Sequence, residues 1–360
     1  MIIYFVTRGY EDTIEVFLDD WSPAARERFL VVSYEDTGSM ATLPAGAAIF
    51  SDIERLGPSE RKIAGRLREA FAAQFPGHVI LNDPLRTMRR YDLLATLADR
   101  GLNPFRAYRL TETIHPRRFP VFLRYENEHT GSISGLLGSQ DELEGAIVRA
   151  IVRGHDLHEL LIVEYVDASD GHGRFSKYAA AVVGDRIIPR HIMSSENWIV
   201  KGSDSLNRVG PDELEYIRVN PHGSQIAAIC SIAGVEYGRI DYTVIDDRVV
   251  TWEINTNPYL VYGRDDTPPR SLPRLETCLP LMEEAFAAID PGPTNRRIDI
   301  SDIAWTKPTR SARSTKRSVV THLRRYQRVL SPTVRVVTAI AIWLRRPILA
   351  GWSRINGISE

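Results

Sequence analysis

The sequence contains few of the residues that mark several common functional classes. Its 360 residues include only two cysteines, Cys230 and Cys278, which form neither a disulfide framework nor a zinc-binding pattern. We therefore expect a reducing, cytoplasmic setting. The sequence has no G-x-x-x-x-G-K-S/T motif of a Walker phosphate-binding loop and no G-x-S-x-G motif that would support a serine nucleophile.

Metal-type histidine spacing and long apolar runs are also missing. The histidines show no spacing that is typical of a metal site. Residues 1–8 lack a basic region and a long apolar core, so we expect a first β-strand there rather than a signal peptide. The apolar run 336–344 is far shorter than the roughly 20 residues that span a bilayer.

The net charge of −1 hides an asymmetry between the body of the chain and its C-terminal segment. Residues 303–360 carry twelve Lys or Arg and one acidic residue, so this segment is basic and the rest is acidic. We predict a basic amphipathic helical tail at 318–360 that docks on the acidic body or on a protein partner. Peripheral binding to an anionic membrane surface through 318–352 is the alternative, and no motif indicates specific nucleic-acid binding.

The composition, 43% hydrophobic and 25% charged, is ordinary for a globular protein of two or three domains. Alternating strand-like and helical patterns predict a mixed α/β fold. The predicted segments are an N-terminal α/β domain (1–104), a central subdomain (105–184), a C-terminal subdomain (185–290), a Pro/Thr/Ser/Arg-rich linker (291–317) and the basic tail (318–360).

Hydrophobic periodicity also places the individual elements. Strands are predicted at 2–6, 29–33, 47–50, 78–81, 119–125, 160–166 and 176–183. Helices are predicted from Pro58 and over 85–100, 140–154, 221–233 and 275–289.

The most informative segment is 238–258. Its period-two pattern predicts two strands joined by a turn at 246–247. Alternation then places Arg239 and Asp241 on one face of the first strand.

The same alternation places Glu253 and Asn255 on one face of the second strand. If the two faces coincide, three oxygen-bearing side chains and a guanidinium converge on one spot. Hard oxygen ligands suit Mg²⁺, with Mn²⁺ as the alternative ion, and Mg²⁺ commonly lies beside nucleotide phosphates. We therefore predict Asp241, Glu253 and Asn255 as metal ligands rather than as the solvated face of an exposed hairpin.

Several short segments, taken in order, resemble the ATP-grasp superfamily in the style of D-alanine–D-alanine ligases and glutathione synthetases. The match covers roughly residues 80–290. The matching segments are Asn82-Asp83-Pro84, Arg89-Arg90, Gly101-Leu102-Asn103-Pro104, Pro120-Val121-Phe122-Leu123-Arg124, Glu164-Tyr165-Val166, Gly238-Arg239-Ile240-Asp241 and Glu253-Ile254-Asn255-Thr256-Asn257-Pro258.

This resemblance implies three α/β subdomains, with ATP between the central and C-terminal ones. Family members typically phosphorylate a carboxylate to an acylphosphate, which an amine or another nucleophile then attacks. The resemblance thus implies an Mg²⁺-dependent carboxylate–amine ligase that forms a C–N bond and converts ATP to ADP and phosphate.

The resemblance also assigns roles to single residues. Arg239 would contact the transferred phosphate as the catalytic cation. Glu164, Tyr165 and Val166 would form the adenine hinge. Either Asp167 or Asp170 would bind the ribose. Ser132, within the glycine-rich segment 131–135, would lie in the loop that covers the phosphates, although a plain hairpin turn explains that segment nearly as well.

Two positions depart from the family pattern, because Arg90 and Arg124 stand where the family usually has lysine. We expect both to bind ATP phosphates, with Arg89 as the alternative to Arg90; an altered nucleotide site or lost activity is the competing interpretation. Further predicted contacts are Lys177 for the nucleotide and Arg190, Lys201 and Asn257 for the substrate.

Three rival functions remain open at this point. They are an ATP-grasp kinase that phosphorylates a small molecule, a non-catalytic nucleotide-binding scaffold, and a metal-dependent hydrolase that uses the same acidic hairpin. The acid and amine substrates are not specified by any motif, and homo-oligomerisation stays open.

Overall fold

The computed structural model describes residues 1–128, 131–200 and 211–305. Lys201 and the basic tail predicted at 318–360 lie outside the described residues. Within these three ranges, no helix is long and apolar enough to cross a membrane.

The predicted mixed α/β class is confirmed. The strands are β1 (Ile2–Val6), β2 (Phe29–Ser33), β3 (Thr42–Pro44), β4 (Ala47–Phe50), β5 (Ile80–Leu81), β6 (Ala107–Arg109), β7 (Val121–Tyr125), β8 (Leu160–Glu164), β9 (Phe175–Val183), β10 (Arg186–Ser195), β11 (Tyr237–Ile245), β12 (Arg248–Asn255) and β13 (Arg297–Asp299). The α-helices are α1 (Asp12–Val16), α2 (Pro23–Arg26), α3 (Pro58–Gln74), α4 (Arg90–Asp99), α5 (Gln140–Arg153), α6 (Pro211–Val219), α7 (Gly223–Ala233) and α8 (Leu272–Ile289).

The described chain divides into two compact units. The first unit combines Met1–Asn103 with the described residues from Asp167 onward, and the second is Pro104–Val166. The subdomain boundaries predicted at 104, 184 and 290 stay predictions.

The first unit contains a parallel sheet with strand order β2-β1-β4-β5. Every residue of β1 and β4 is buried, as expected for central strands of a parallel sheet that is covered on both faces. Helix α3 begins at Pro58, as predicted, and packs its buried stripe of Ala64, Leu67 and Phe71 into the same core.

The same unit contains an antiparallel sheet with strand order β10-β9-β11-β12. The predicted hairpin is confirmed: β11 and β12 are joined by Asp246 and Asp247, whose φ angles are 49° and 59°. Two consecutive residues with positive φ match the twist of a two-residue hairpin turn, a conformation that aspartate tolerates better than most residues.

Asn82 connects the two sheets of the first unit. Its side chain is fully buried, and its Nδ2 group donates to the carbonyl oxygens of Phe50 and Tyr237, each at 2.9 Å. Its Oδ1 accepts from the N–H groups of Glu236 and Tyr237 at 2.8 and 2.9 Å. The amide therefore uses all four of its hydrogen-bonding positions to join the end of β4 to the start of β11.

Two sequence predictions need correction in this unit. Helix α4 begins at Arg90 and not near residue 85, because the N–H groups of Arg86 and Thr87 both donate to the Asp83 carbonyl in a separate turn. The predicted linker is packed over 297–305: β13 pairs with β3, and three isoleucines and a tryptophan join the core beside it. These residues are Ile298, Ile300, Ile303 and Trp305.

The second unit is an antiparallel sheet, β6-β8-β7, with α5 packed on one face. Helix α5 lies where the sequence predicts it. The Ser139 hydroxyl caps its N-terminus by accepting the Glu142 N–H, and Gly154 ends it with a φ of 85°.

We predict that Asn82→Ala lowers the free energy of unfolding by about 3–5 kcal/mol, because it removes the partners of four buried backbone groups and leaves alanine at a φ of 65°. Chemical denaturation measures this change. The matched control is Asn295→Ala, at an exposed position, which should change stability by less than about 0.5 kcal/mol. Equal effects of the two substitutions would contradict the role given to Asn82.

Candidate functional site

The register of the hairpin brings its polar side chains onto one face. Arg239 pairs with Asn255, and Asp241 pairs with Glu253. Directly paired residues of an antiparallel ladder point to the same side of the sheet. The polar faces of β11 and β12 therefore coincide, as the prediction of a shared site requires. One side of the antiparallel sheet, the polar face, therefore carries the side chains of Arg239, Asp241, Glu253 and Asn255.

Asp241 is nearly fully buried and contacts two cations. Arg239 Nε lies 2.7 Å from its Oδ1, and Lys177 Nζ, from β9, lies 3.4 Å from its Oδ2. Burial opposes the charge on Arg239, but the Asp241 carboxylate outweighs this effect and raises the pKa of Arg239. The Arg239 guanidinium thus stays ionised beside the buried Asp241 side chain.

Glu253 forms an ion pair with Arg90, the first residue of α4. Arg90 is buried, whereas its neighbour Arg89 donates to the Leu56 carbonyl. Of the two arginines that the sequence left open, Arg90 is therefore the one that reaches the polar face.

Asn255 holds the chain that follows β12, because its Oδ1 accepts the Asn257 N–H at 2.8 Å. Asn257 is then held by the N-terminal segment: its Oδ1 accepts from the hydroxyls of Tyr4 and Thr13 at 2.8 and 2.7 Å. Its Nδ2 donates to the Tyr10 carbonyl at 3.3 Å. These contacts give Asn257 an anchoring position, and its predicted substrate contact stays a prediction.

Thr256 is bound by the turn that follows β4. Its hydroxyl accepts the Ile53 N–H at 2.8 Å, and its own N–H donates to a carboxylate oxygen of Glu54 at 3.2 Å. The segment that leaves the polar face is thus fixed on both sides by residues from the first 54 positions.

The sequence missed one histidine on this side of the sheet. His191 pairs with Ala179, which pairs with Asp241, so one row across the sheet reads His191, Ala179, Asp241, Glu253. A lone histidine in a strand carries no spacing signal. Ala179 adds little bulk between His191 and Asp241.

Positive charge dominates the surroundings of His191. Burial lowers its pKa well below the usual value, and the cations Arg239, Arg274, Lys177 and Arg190 lower it further. His191 is therefore neutral at neutral pH, and the cations around it favour an anionic ligand.

Arg190 lies at a bulge of β10, is buried and donates to the Leu260 carbonyl. Burial lowers its pKa. Its predicted substrate contact stays a prediction, and the predicted contact at Lys201 lies outside the described residues.

Asp170 uses its carboxylate within its own turn. It accepts the N–H groups of Arg174 and His172 at 2.9 and 2.8 Å, and Arg174 Nε lies 3.1 Å away. These hydrogen bonds lower the pKa of Asp170. Asp167 accepts the Ser169 N–H at 3.0 Å. The structure therefore does not separate these two aspartates as ribose ligands.

Two of the predicted nucleotide residues of the second unit, Glu164 and Arg124, lie on the neighbouring strands β8 and β7. The Glu164 N–H donates to the Arg106 carbonyl and the Tyr165 N–H to the Pro120 carbonyl, at 3.0 and 2.9 Å. The buried Glu164 carboxylate accepts the Tyr108 hydroxyl at 2.7 Å. Val166 is the last described residue of the unit.

Arg124 pairs with Leu161 of β8 on one side and bridges to Ser132 on the other. The glycine-rich segment therefore runs beside β7 as the returning arm of a hairpin. The Ser132 hydroxyl donates to the Leu123 carbonyl at 3.1 Å.

The donor set of the hairpin fits a magnesium–nucleotide complex better than a bare metal ion. Over the described ranges, no group of three His, Cys, Asp or Glu residues could hold a metal by itself. Asp241 and Glu253 supply two carboxylates and Asn255 an amide oxygen, so phosphate oxygens and water would complete an octahedral shell.

No protein-family model and no curated protein matches the chain. Among solved structures, the chain is similar to D-alanine–D-alanine ligase from Bacillus anthracis complexed with ATP, with 14% identity, coverage of 80% of this chain and 98% of that chain, and a TM-score of 0.47. It is similar to an ATP-grasp RimK domain protein from Sphaerobacter thermophilus, with 15% identity, coverage of 81% and 100%, and a TM-score of 0.43. It is also similar to the ATP-grasp ligase PsnB complexed with a phosphomimetic variant of its minimal precursor, Mg and ADP, with 14% identity, coverage of 80% and 96%, and a TM-score of 0.45.

Asp52 lies in the turn that holds Thr256. We predict that Asp52→Asn removes a decrease in the free energy of unfolding that the unsubstituted protein shows as the pH rises. Asp52 is fully buried; burial and then repulsion by Glu54 raise its pKa to about 7, although Arg55 Nε lies 2.9 Å from Oδ1. The folded protein therefore binds this proton more tightly than the unfolded chain. The contribution of the protonated Asp52 carboxyl to the free energy of unfolding is complete below pH ~4. It is lost as the pH rises to about 7.

Relative to the unsubstituted protein, the Asp52→Asn variant should gain about 1 kcal/mol per pH unit across this window, measured by chemical denaturation at several pH values. The matched control is Asp246→Asn, which also has a positive φ but is exposed. An identical pH dependence for the Asp52→Asn variant and the unsubstituted protein would contradict the raised pKa.

Proposed function

We propose that the protein is an ATP-dependent carboxylate–amine ligase of the ATP-grasp superfamily. The observation that carries this proposal is the shared face of β11 and β12, where Arg239, Asp241, Glu253 and Asn255 meet as the family motifs predict. The adenine, ribose and phosphate roles of residues in the second unit and at Asp170 remain part of the proposal.

Asp241, Glu253 and Asn255 would hold Mg²⁺ together with the nucleotide. Bound Mg²⁺ supplies positive charge beside the phosphates, where negative charge shifts during phosphoryl transfer. A carboxylate–carboxylate–amide set of hard oxygens is suited to this ion.

The cations of the site would bind phosphate oxygens. Lys177 and Arg239 lie against Asp241, and Arg90 lies against Glu253. When the carboxylates take up a metal ion, these cations can donate to phosphate instead, in charge-assisted hydrogen bonds of about 1.5–3 kcal/mol each. The site can therefore exchange internal ion pairs for contacts with Mg–ATP.

The proposed reaction has two displacement steps. A carboxylate oxygen of the first substrate attacks the γ-phosphorus, the bond to ADP breaks, and an acylphosphate forms. The amine nitrogen of the second substrate then attacks the acyl carbon, phosphate leaves with the bonding electron pair, and the nitrogen loses a proton. Arg239 would stabilise charge on the phosphoryl group, so that positioning and electrostatics suffice without a covalent enzyme nucleophile.

We predict that Glu253→Ala combined with Asn255→Ala abolishes Mg–ATP turnover while the protein stays folded. Glu253→Gln is the second variant, because it keeps an acceptor for the buried Arg90 and removes only the charge; it should lower turnover at least ~100-fold. Phosphate release measures turnover, and circular dichroism checks folding.

The matched control is Glu283→Ala combined with Asn295→Ala, which removes the same residue types from exposed positions of the same unit. This control should keep full turnover. Turnover that survives the Glu253 and Asn255 substitutions in a folded protein would show that the metal assignment is wrong.

The reaction class is tested by the substrates that phosphate release requires. A ligase releases phosphate only when both an acid and an amine are present, whereas a kinase yields ADP and a stable phosphorylated product without an amine. A hydrolase would show no thermal stabilisation by Mg–ATP. Screening candidate acids and amines for phosphate release therefore separates the ligase from the kinase, and thermal stabilisation by Mg–ATP separates both from the hydrolase.

A further inference from the structure

The second unit contains a cavity of about 220 Å³ between the glycine-rich segment and the C-terminal half of α5. Leu123 and Leu137 contribute apolar walls. Ser134 and Gly135 belong to the glycine-rich segment, and a side chain added at Gly135 would meet open space. One side of the cavity is thus bounded by glycine-rich backbone that leaves open space at Gly135.

The ionisable side chains that line this cavity are all of basic residues. Arg149 and Arg153 lie one helical turn apart on α5, and His155 follows the helix. Among the described residues, no carboxylate lines the cavity, and neither guanidinium forms a hydrogen bond or ion pair with any residue that the structure describes.

Two nearby carboxylates are bound elsewhere. Glu142 accepts the Gly138 N–H at 2.7 Å, and Asp156 accepts the His158 N–H at 2.9 Å. Neither acid forms an ion pair with Arg149 or Arg153 within the described residues, whereas burial and then the charges of Glu128, Glu159 and Asp156 raise the pKa of Tyr125 beside His155.

His155 adds a directed hydrogen-bonding group. Its Nδ1 is bonded to the Tyr125 hydroxyl, and the two rings lie 5.6 Å apart between centroids. When Tyr125 donates to Nδ1, the neutral ring carries its proton on Nε2. His155 can then donate to an anion beside the two arginines.

The cavity is separate from the position predicted for the ATP phosphates. Leu123 lines the cavity and packs on the α5 side of the sheet. Arg124, the predicted phosphate cation, is the next residue of β7 and points to the opposite side. The two arginines of α5 therefore lie on one side of this sheet, and the Arg124 side chain lies on the other.

We propose that this cavity binds the phosphoryl group of a small anion, either inorganic phosphate or a phosphorylated metabolite. Paired guanidinium groups bind phosphate oxygens in bidentate geometry, and the histidine supplies a further donor. The volume of the cavity lies below the roughly 300–1,000 Å³ of pockets for drug-sized ligands. The cavity therefore fits a phosphoryl head group rather than a whole nucleotide.

Isothermal titration calorimetry with the full chain at low ionic strength tests this site, with inorganic phosphate in one arm and glycerol 3-phosphate in the other. We expect saturable binding, and Arg149→Gln combined with Arg153→Gln should weaken it about tenfold or more. The matched control is Arg218→Gln, which removes an exposed arginine from the last turn of α6 and should leave binding unchanged. Stronger binding of glycerol 3-phosphate would indicate a metabolite, and equal binding would indicate phosphate alone.

A second readout places the ligand, because phosphate could also bind the cations beside Asp241. The ring resonances of His155 should shift on titration of the unsubstituted protein and of a Lys177→Gln variant. Binding that is lost in the Lys177→Gln variant but kept in the double arginine variant would overturn the proposal. So would the absence of saturable binding, or unchanged His155 resonances at saturation.

Discussion

The geometry of the polar face depends on one buried amide. Asn82 lies at the end of the parallel sheet, and its side chain bonds the backbone of Tyr237 through both a donor and an acceptor. Tyr237 begins β11, two residues before Arg239. Because each of these bonds is shielded from water, a shift of β11 along its axis would leave several polar groups unsatisfied. The amide thus sets where Arg239 and Asp241 lie relative to the parallel sheet.

The charges on the polar face are arranged at a cost to stability. The buried Asp241 is paired with the partly buried Arg239 and Lys177, and Glu253 is paired with the buried Arg90. Buried ion pairs seldom stabilise a fold more than apolar residues of the same volume would, because desolvation offsets the attraction. A gain in folding stability therefore does not explain their concentration on a single face.

Local patterns in the sequence predict the hairpin well. Its alternation has period two, its turn residues tolerate positive φ, and the register that follows places the four polar residues on one side. Helices α3 and α5 are predicted for a similar reason, since an apolar stripe and a cap lie within one segment.

Contacts between distant segments were not predictable in this way. Arg90 and Glu253 are 163 residues apart, and no periodicity relates them. His191 reaches the polar face through a register across three strands. The composition of 291–317 indicated a linker, yet Ile298, Ile300 and Ile303 are buried because β13 finds β3 as its partner. These long-range contacts depend on which surfaces meet when the chain collapses. The sequence pattern of a single segment therefore does not predict them.

The anchoring of Thr256 and Asn257 has a consequence for how the gene can be recombined. These residues follow β12, yet they are held by Tyr4, Thr13 and Glu54. The residues of the polar face come from the later part of the described chain, and residues from its first 54 positions hold the segment beside them. A chimera that exchanged only the first hundred residues with those of another protein would bring in foreign partners for this segment and would misplace the residues beside Asn255. Domain shuffling in this fold must keep the two ends together, even though the second unit lies between them in sequence.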